Sequence, residues 1–170
     1  MAKVKGKFFT LTGMLASNSP ESVKKIDQFL EAQLGLNHLE LDPDELYDTR
    51  LWNECIMIYA NSFPNPEKAI VDLGRRVYPT IKRTVGLPDY LKSPKDFIKF
   101  ELEGFQQNHS PDVKPRKILR ETENSITIYA PAPDYDDIIY SGVWLGILEM
   151  LDIPTRKVEK IDSCTYTISW

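Results

Sequence analysis

Four times in this sequence a residue whose side-chain oxygen can cap a helix stands directly before a proline and a helix-patterned run. The pairs are Ser19-Pro20, Asp42-Pro43, Asn65-Pro66 and Ser93-Pro94. The oxygen accepts from an orphan N–H of the first turn, and proline at the first helical position loses nothing, because its missing donor would be unpaired anyway. Asp42-Pro43-Asp44-Glu45 and Ser93-Pro94-Lys95-Asp96 add a carboxylate three residues after the cap. Four helix starts follow.

The first helix is expected from Pro20 to Leu34, with Val23, Ile26, Phe29, Leu30 and Leu34 on one face and Gly35 as its left-handed stop. The second is expected from Pro43 to about Ala60, its apolar residues (Leu46, Tyr47, Leu51, Trp52, Cys55, Ile56, Ile58, Tyr59) wrapping more than one face. A third begins at Pro66 and presents Ala69, Ile70, Leu73, Val77 and Ile81, with Pro79 expected to kink or divide it. The fourth runs from Pro94 to about Gln107. After Pro115 the pattern changes. Lys117 to Glu121 and Ser125 to Ala130 flank a polar turn and read as a hairpin. Tyr135, Ile138, Ile139, Gly142, Val143, Gly146, Ile147 and Met150 then fit a buried helical face, which Pro154 ends. Two further strands, about Arg156 to Ile161 and Cys164 to Trp170, close the chain. The predicted fold is α+β: an N-terminal helical bundle packed on a C-terminal four-stranded antiparallel sheet of β-β-α-β-β order.

At 170 residues, without repeats or a linker, the chain is read as one domain spanning residues 1–170. A hydrophobic fraction of 42% and a charged fraction of 27% argue against disorder. A net charge of −4 argues against nucleic acid as a partner. Two cysteines, Cys55 and Cys164, make neither a disulfide framework nor a zinc motif, and only two histidines, His38 and His109, are present. No run is long and apolar enough for a membrane span or a signal peptide, so a soluble, cytoplasmic protein is expected. There is no G-x-S-x-G, P-loop or G-x-G-x-x-G, and no carboxylate pair has a spacing that argues for acid–base work. No enzyme, no metal and no cofactor is expected.

The hairpin, the helix Gly142-Val-Trp-Leu-Gly146-Ile-Leu-Glu and the closing strands ending in Tyr166-Thr-Ile-Ser-Trp170 resemble the superfamily of haem-nitric-oxide/oxygen-binding (H-NOX) domains, 4-vinyl-reductase (V4R) domains and Bet3-type TRAPP subunits. Val4-Lys5-Gly6, Leu41-Asp42-Pro43 through Trp52, and Leu73-Gly74-Arg75-Arg76 are similar to the short uncharacterised bacterial members of that group, of the myxobacterial type. The resemblance implies a domain enclosing a small apolar ligand between helices and sheet. Its haem-binding branch implies a Tyr-x-Ser-x-Arg triplet gripping the propionates and a proximal histidine. The matching positions here are Ala130, Ala132 and Asp134, and the histidine slot counts to the neighbourhood of Glu101. None can replace the lost donors, and Asp134 would set negative charge against two carboxylates. His109 lies further on, against Ser110-Pro111, in what reads as a loop. Metal sites of the V4R type use clustered cysteines, of which only Cys164 stands near the end; an acyl chain of the TRAPP kind would fall on Cys55.

Simpler readings stand beside these. Gly142 and Gly146 suit close packing of their helix on the sheet, as well as room for a ligand. Arg75-Arg76 with Lys82-Arg83 read as a solvated face, Asp134-Tyr-Asp136-Asp137 as a helix-capping region, and His38 as a surface or turn residue. The expected function is a haem-free binding or sensor domain for a small apolar molecule, acting through a partner protein. Tyr47, Trp52, Cys55, Tyr59, Phe97 and Leu102 are the expected pocket lining, because their two helices are over-apolar. The alternatives are an interaction or assembly subunit without ligand, a homodimer among them, and a haem gas sensor using His109.

Overall fold

A computed structural model describes residues 1–170. In chain order its elements are β1 (Lys3–Lys5), α1 (Lys7–Leu15), α2 (Pro20–Leu34), β2 (Leu46–Asp48), α3 (Thr49–Ala60), α4 (Pro66–Arg75), α5 (Val77–Thr84), α6 (Pro94–Asn108), β3 (Lys117–Glu121), β4 (Ser125–Tyr129), α7 (Ile139–Met150), β5 (Lys157–Lys160) and β6 (Thr165–Ser169). The fold is α+β. The last four strands form one antiparallel sheet in the order β3-β4-β6-β5, and the helical part packs on it.

Three of the four capped prolines open helices. Asn65 accepts from the Lys68 N–H, and Ser93 with Asp96 makes a complete capping box at α6. Pro20 opens α2, although the Ser19 hydroxyl bonds the Ser22 hydroxyl instead of capping. The Asp42-Pro43 pair is a correction. It makes a turn, in which Asp42 accepts from the Asp44 N–H, and the helix expected from Pro43 begins at Thr49 under an Asp48 cap. The carbonyls of Pro43 and Glu45 are engaged elsewhere: they accept the N–H groups of Lys7 and Gly6 at the start of α1. The chain after the turn pairs as β2 with β1, Val4 opposite Tyr47. A Cβ on Gly6 would strike the Asp42 carbonyl, so this approach requires the glycine.

The third helix divides before its proline, at Arg76, not at Pro79 itself. A proline ring clashes with the carbonyl four residues earlier, and Arg75 is where α4 ends. Two other expectations hold only in part. His38 stands in a turn but is buried, its Nδ1 2.6 Å from Asp27 Oδ1 and its ring lying where a side chain on Gly13 would go. Arg75, Lys82 and Arg83 are exposed, Arg75 pairing with Glu149, but Arg76 is half-buried and donates to the Leu15 carbonyl (2.6 Å) and the Tyr59 hydroxyl (2.7 Å).

The glycines of α7 serve a different surface from the one expected. A Cβ on Gly142 would overlap the Val71 carbonyl oxygen, one on Gly146 that of Arg75, and one on Gly74 that of Ile139. Helices α4 and α7 therefore cross backbone on backbone. The sheet takes another face of α7, where Trp144 lies edge-on to Tyr166 with centroids 4.8 Å apart, and Ile126, Ile128 and Ile168 of the sheet are fully buried. One apolar core runs through helices and sheet together.

Candidate functional site

Helical spacing builds a cleft of about 730 Å³. Helix α1 presents Phe8, Leu11, Thr12 and Leu15. Leu73 of α4 and Val77, Tyr78 and Ile81 of α5 form a second wall, α6 contributes Phe100, Glu101 and Phe105, and α7 contributes Ile139, Tyr140 and Val143. Of the 30 lining residues 17 are hydrophobic, which suits an apolar guest. The outer end is marked by exposed Val85 and Tyr90 from the α5–α6 connection, together with Lys7, Glu103 and Gln107. No residue of the four-stranded sheet touches the cleft. That corrects the expected placement of a hollow between helices and sheet: α7 stands between the two, and its aromatic face fills the gap.

At the inner end the sequence places charges in the core. Glu101 and Arg116 form a buried ion pair, with side chains 8% and 0% exposed. The Arg116 guanidinium is clamped between the rings of Phe105 and Tyr140, 3.8 and 3.6 Å from their centroids, an arrangement favoured by the negative ring faces. Burial is the largest single influence and works against its charge, but Glu101 together with the nearby Tyr140 and Tyr135 raises the pKa above the ordinary arginine value. Glu101 Oε2, Arg116 Nε and Arg116 Nη2 are buried without a hydrogen-bond partner. Tyr78 beside them is also buried and makes no side-chain hydrogen bond; burial first, and then Glu101, push its phenol well above the usual value.

A second buried polar chain adjoins the first. His109 ends α6, its Nδ1 2.9 Å from the Phe105 carbonyl and its Nε2 3.4 Å from the Tyr135 hydroxyl, which in turn lies 2.8 Å from that of Tyr140. Burial lowers the His109 pKa to about 4, so the ring is neutral and Nδ1–H donates. His109 thus follows the helix, as expected, but in a buried position. His109 is 5% exposed, packed against Phe8 and Phe105, and does not line the cleft.

Of the six residues expected to line a pocket, Trp52 does, donating its indole N–H to Thr12. The other five lie elsewhere. Tyr47 packs on Phe9 and meets Glu45, Tyr59 joins Arg76, and Phe97 backs Tyr78 from behind. Leu102 is partly buried against the core, and Cys55 is fully buried, its thiol pushed up to about 12 by burial. Two signals for the real lining were present in the chain. Phe8, Leu11 and Leu15 have helical spacing, and Glu101 stands in an otherwise apolar stripe of α6. Asp134, matched to the propionate clamp, is exposed at φ 60°, and neither it nor Ala130 nor Ala132 lines the cleft.

The arrangement of helices on a four-stranded antiparallel sheet matches the fold of solved H-NOX domains. The Fe(II) unliganded H-NOX protein from K. algicida matches 97% of this chain and 95% of its own with a TM-score of 0.66 at 18% identity. A mutant H-NOX of T. tengcongensis matches with a TM-score of 0.65 at 13% identity, over 97% of this chain and 96% of that one. An oxygen-binding H-NOX domain related to soluble guanylate cyclases, in its oxygen complex, gives 0.67 at 13% identity, over 94% and 90%. At these identities the likeness is one of fold. No protein-family model and no curated protein matches the sequence.

Proposed function

We propose that the chain is a haem-free, non-catalytic binding or sensor domain that takes a small apolar molecule and acts through a partner protein. The observation that carries this is the apolar cleft of about 730 Å³ among α1, α5, α6 and α7. Haem is the group the fold brings to mind, and the residues present do not fit it. The histidine slot counts to the neighbourhood of Glu101, where no histidine stands and Glu101 itself is tied into the buried pair with Arg116. His109 faces Tyr135 and the Phe105 carbonyl and stands off the cleft wall. A propionate would find no cation at Ala130, Ala132 or Asp134. Kinship with the V4R, Bet3-type and short bacterial members belongs to the same reading, as does a cytoplasmic setting. No helix is long and apolar enough to cross a membrane.

Coupling to a partner follows from differential affinity: a guest shifts the domain only as far as it prefers one state of the cleft. Native mass spectrometry of the purified protein, with an absorption spectrum after haem addition, tests the reading. A bound small apolar molecule and no Soret band are expected. Stoichiometric haem uptake would instead make this a haem-based sensor, the reading that the fold by itself favours. A chain that holds no guest and associates with itself or another protein would be an assembly subunit.

A further inference from the structure

We propose that the connection between α5 and α6 is a lid: the stretch Gly86–Tyr90 pivots at Gly86 and folds over the cleft once a guest is inside. The inference rests on the cleft being a ligand site, and it names how that site opens and closes.

The rim of the cleft is apolar where it meets water. Of the seven large apolar side chains that the fold leaves exposed, three line this one cleft: Met14, Val85 and Tyr90, at 40%, 84% and 65% exposure. Single exposed apolar residues are ordinary; three gathered on the mouth of one apolar cleft are not scattered. Val85 and Tyr90 belong to the connection, whose Leu87 and Pro88 also line the cleft. Beside an empty cleft these side chains face water. Folded over an apolar guest they leave it, so closing gains apolar burial only when a guest supplies the opposing surface.

The connection is also unfastened. The N–H groups of Val85 and Gly86 return to the Ile81 carbonyl of α5 (2.9 and 3.0 Å), and that of Leu91 to the Pro88 carbonyl (3.1 Å). No hydrogen bond or ion pair joins residues 85–90 to any element beyond α5. A segment held so sparsely opens and closes at little cost. Gly86 stands at φ 89° with no atom within 4 Å of the place its Cβ would take, which leaves the pivot free. The far end is fixed, by Leu91 at 6% exposure and by the Ser93–Asp96 capping box of α6. Leu87, half-buried against the core, is the apolar contact traded for contact with the guest.

Paired spin labels read the motion. Ser17→Cys and Asp89→Cys set one label just past α1 and one on the connection, both at exposed positions that do not line the cleft. Cys164→Ser removes the accessible thiol, and Cys55 stays unlabelled because it is buried. Saturation with 2-naphthol, or with 1-octanol as a flexible probe, should shift and narrow the distance between the labels. In stopped flow the observed binding rate should level off as probe concentration rises, because closing follows binding. Val85→Ser/Tyr90→Ser removes exposed side chains and should leave the melting temperature of the free chain unchanged. This variant should release the probe about tenfold or more faster and bind at a rate linear in concentration. An unaltered distance together with a linear rate in the wild type would overturn the lid and leave an open cleft as the ligand site. Binding of neither probe would overturn both.

Discussion

His109 and the Arg116–Glu101 pair show two ways in which a core handles ionisable groups. Burial holds His109 neutral, with a pKa near 4 against about 6.5 when unfolded. Below pH 6.5 the unfolded chain therefore binds a proton that the folded one refuses. Stability contributed above that pH is lost as the pH falls toward 4, and the loss between pH 7 and pH 5 should be about 2 kcal/mol. Urea denaturation of wild type and His109→Asn at the two pH values would isolate it, since the variant should lack this component. Arg116 keeps its charge because Glu101 is beside it. Arg116→Met should cost about 3–5 kcal/mol by leaving a lone buried carboxylate, whereas Glu101→Leu/Arg116→Met should recover most of that. Chemical denaturation of the two variants checks the difference. At this scale little of the site was legible: Glu101 could be noticed as a misplaced charge on an apolar face, but its partner lies 15 residues away across a loop. Trp52 was legible as an aromatic on an apolar helix; the other five residues resembled it in pattern and went to ordinary core positions.

Elements were legible where local chemistry dictates them. The Ser93 and Asn65 caps, and the alternation of Ile126 and Ile128 and of Tyr166 and Ile168, each state their structure within a few residues. Helix α1 carries no such mark: it starts at Gly6 without a side-chain cap and has neither acid in its first turn nor base in its last. Its start is secured by carbonyls of the 42–45 turn, some 36 or more residues distant on the order of the chain's own tertiary folding. The same long-range contact turned Asp42-Pro43 from a helix start into a turn. The α4–α7 crossing gives a test at this scale. Gly142→Ala should destabilise by about 1–3 kcal/mol, since the added methyl meets the Val71 carbonyl and not a movable side chain. Gly104→Ala in α6, whose Cβ would meet only the end of Asn108 at 4.0 Å, should stabilise by about 0.5–1 kcal/mol. Thermal melts of both variants should move in opposite directions.

For the whole molecule the question is what an occupied cleft does to stability. A guest that binds only the folded chain, present at about 100 times its Kd, should add roughly 2.7 kcal/mol. That corresponds to a rise in melting temperature of about 5–10 °C for a chain of this length. Differential scanning fluorimetry with 2-naphthol or 1-octanol reads it directly, and no rise at saturation would contradict the binding reading. The crossing of α4 and α7 also decides where a guest can make itself felt. With carbonyls seated against glycine backbone at Gly74, Gly142 and Gly146, those two helices have no side-chain cushion to compress and behave as one plate. The plate carries Leu73, Ile139, Tyr140 and Val143, so that side of the cleft is an anvil. A change of shape on filling or emptying would then fall on the other walls, α1, α5, α6 and the Val85–Tyr90 connection, and a partner that reads the occupied state would touch the molecule there.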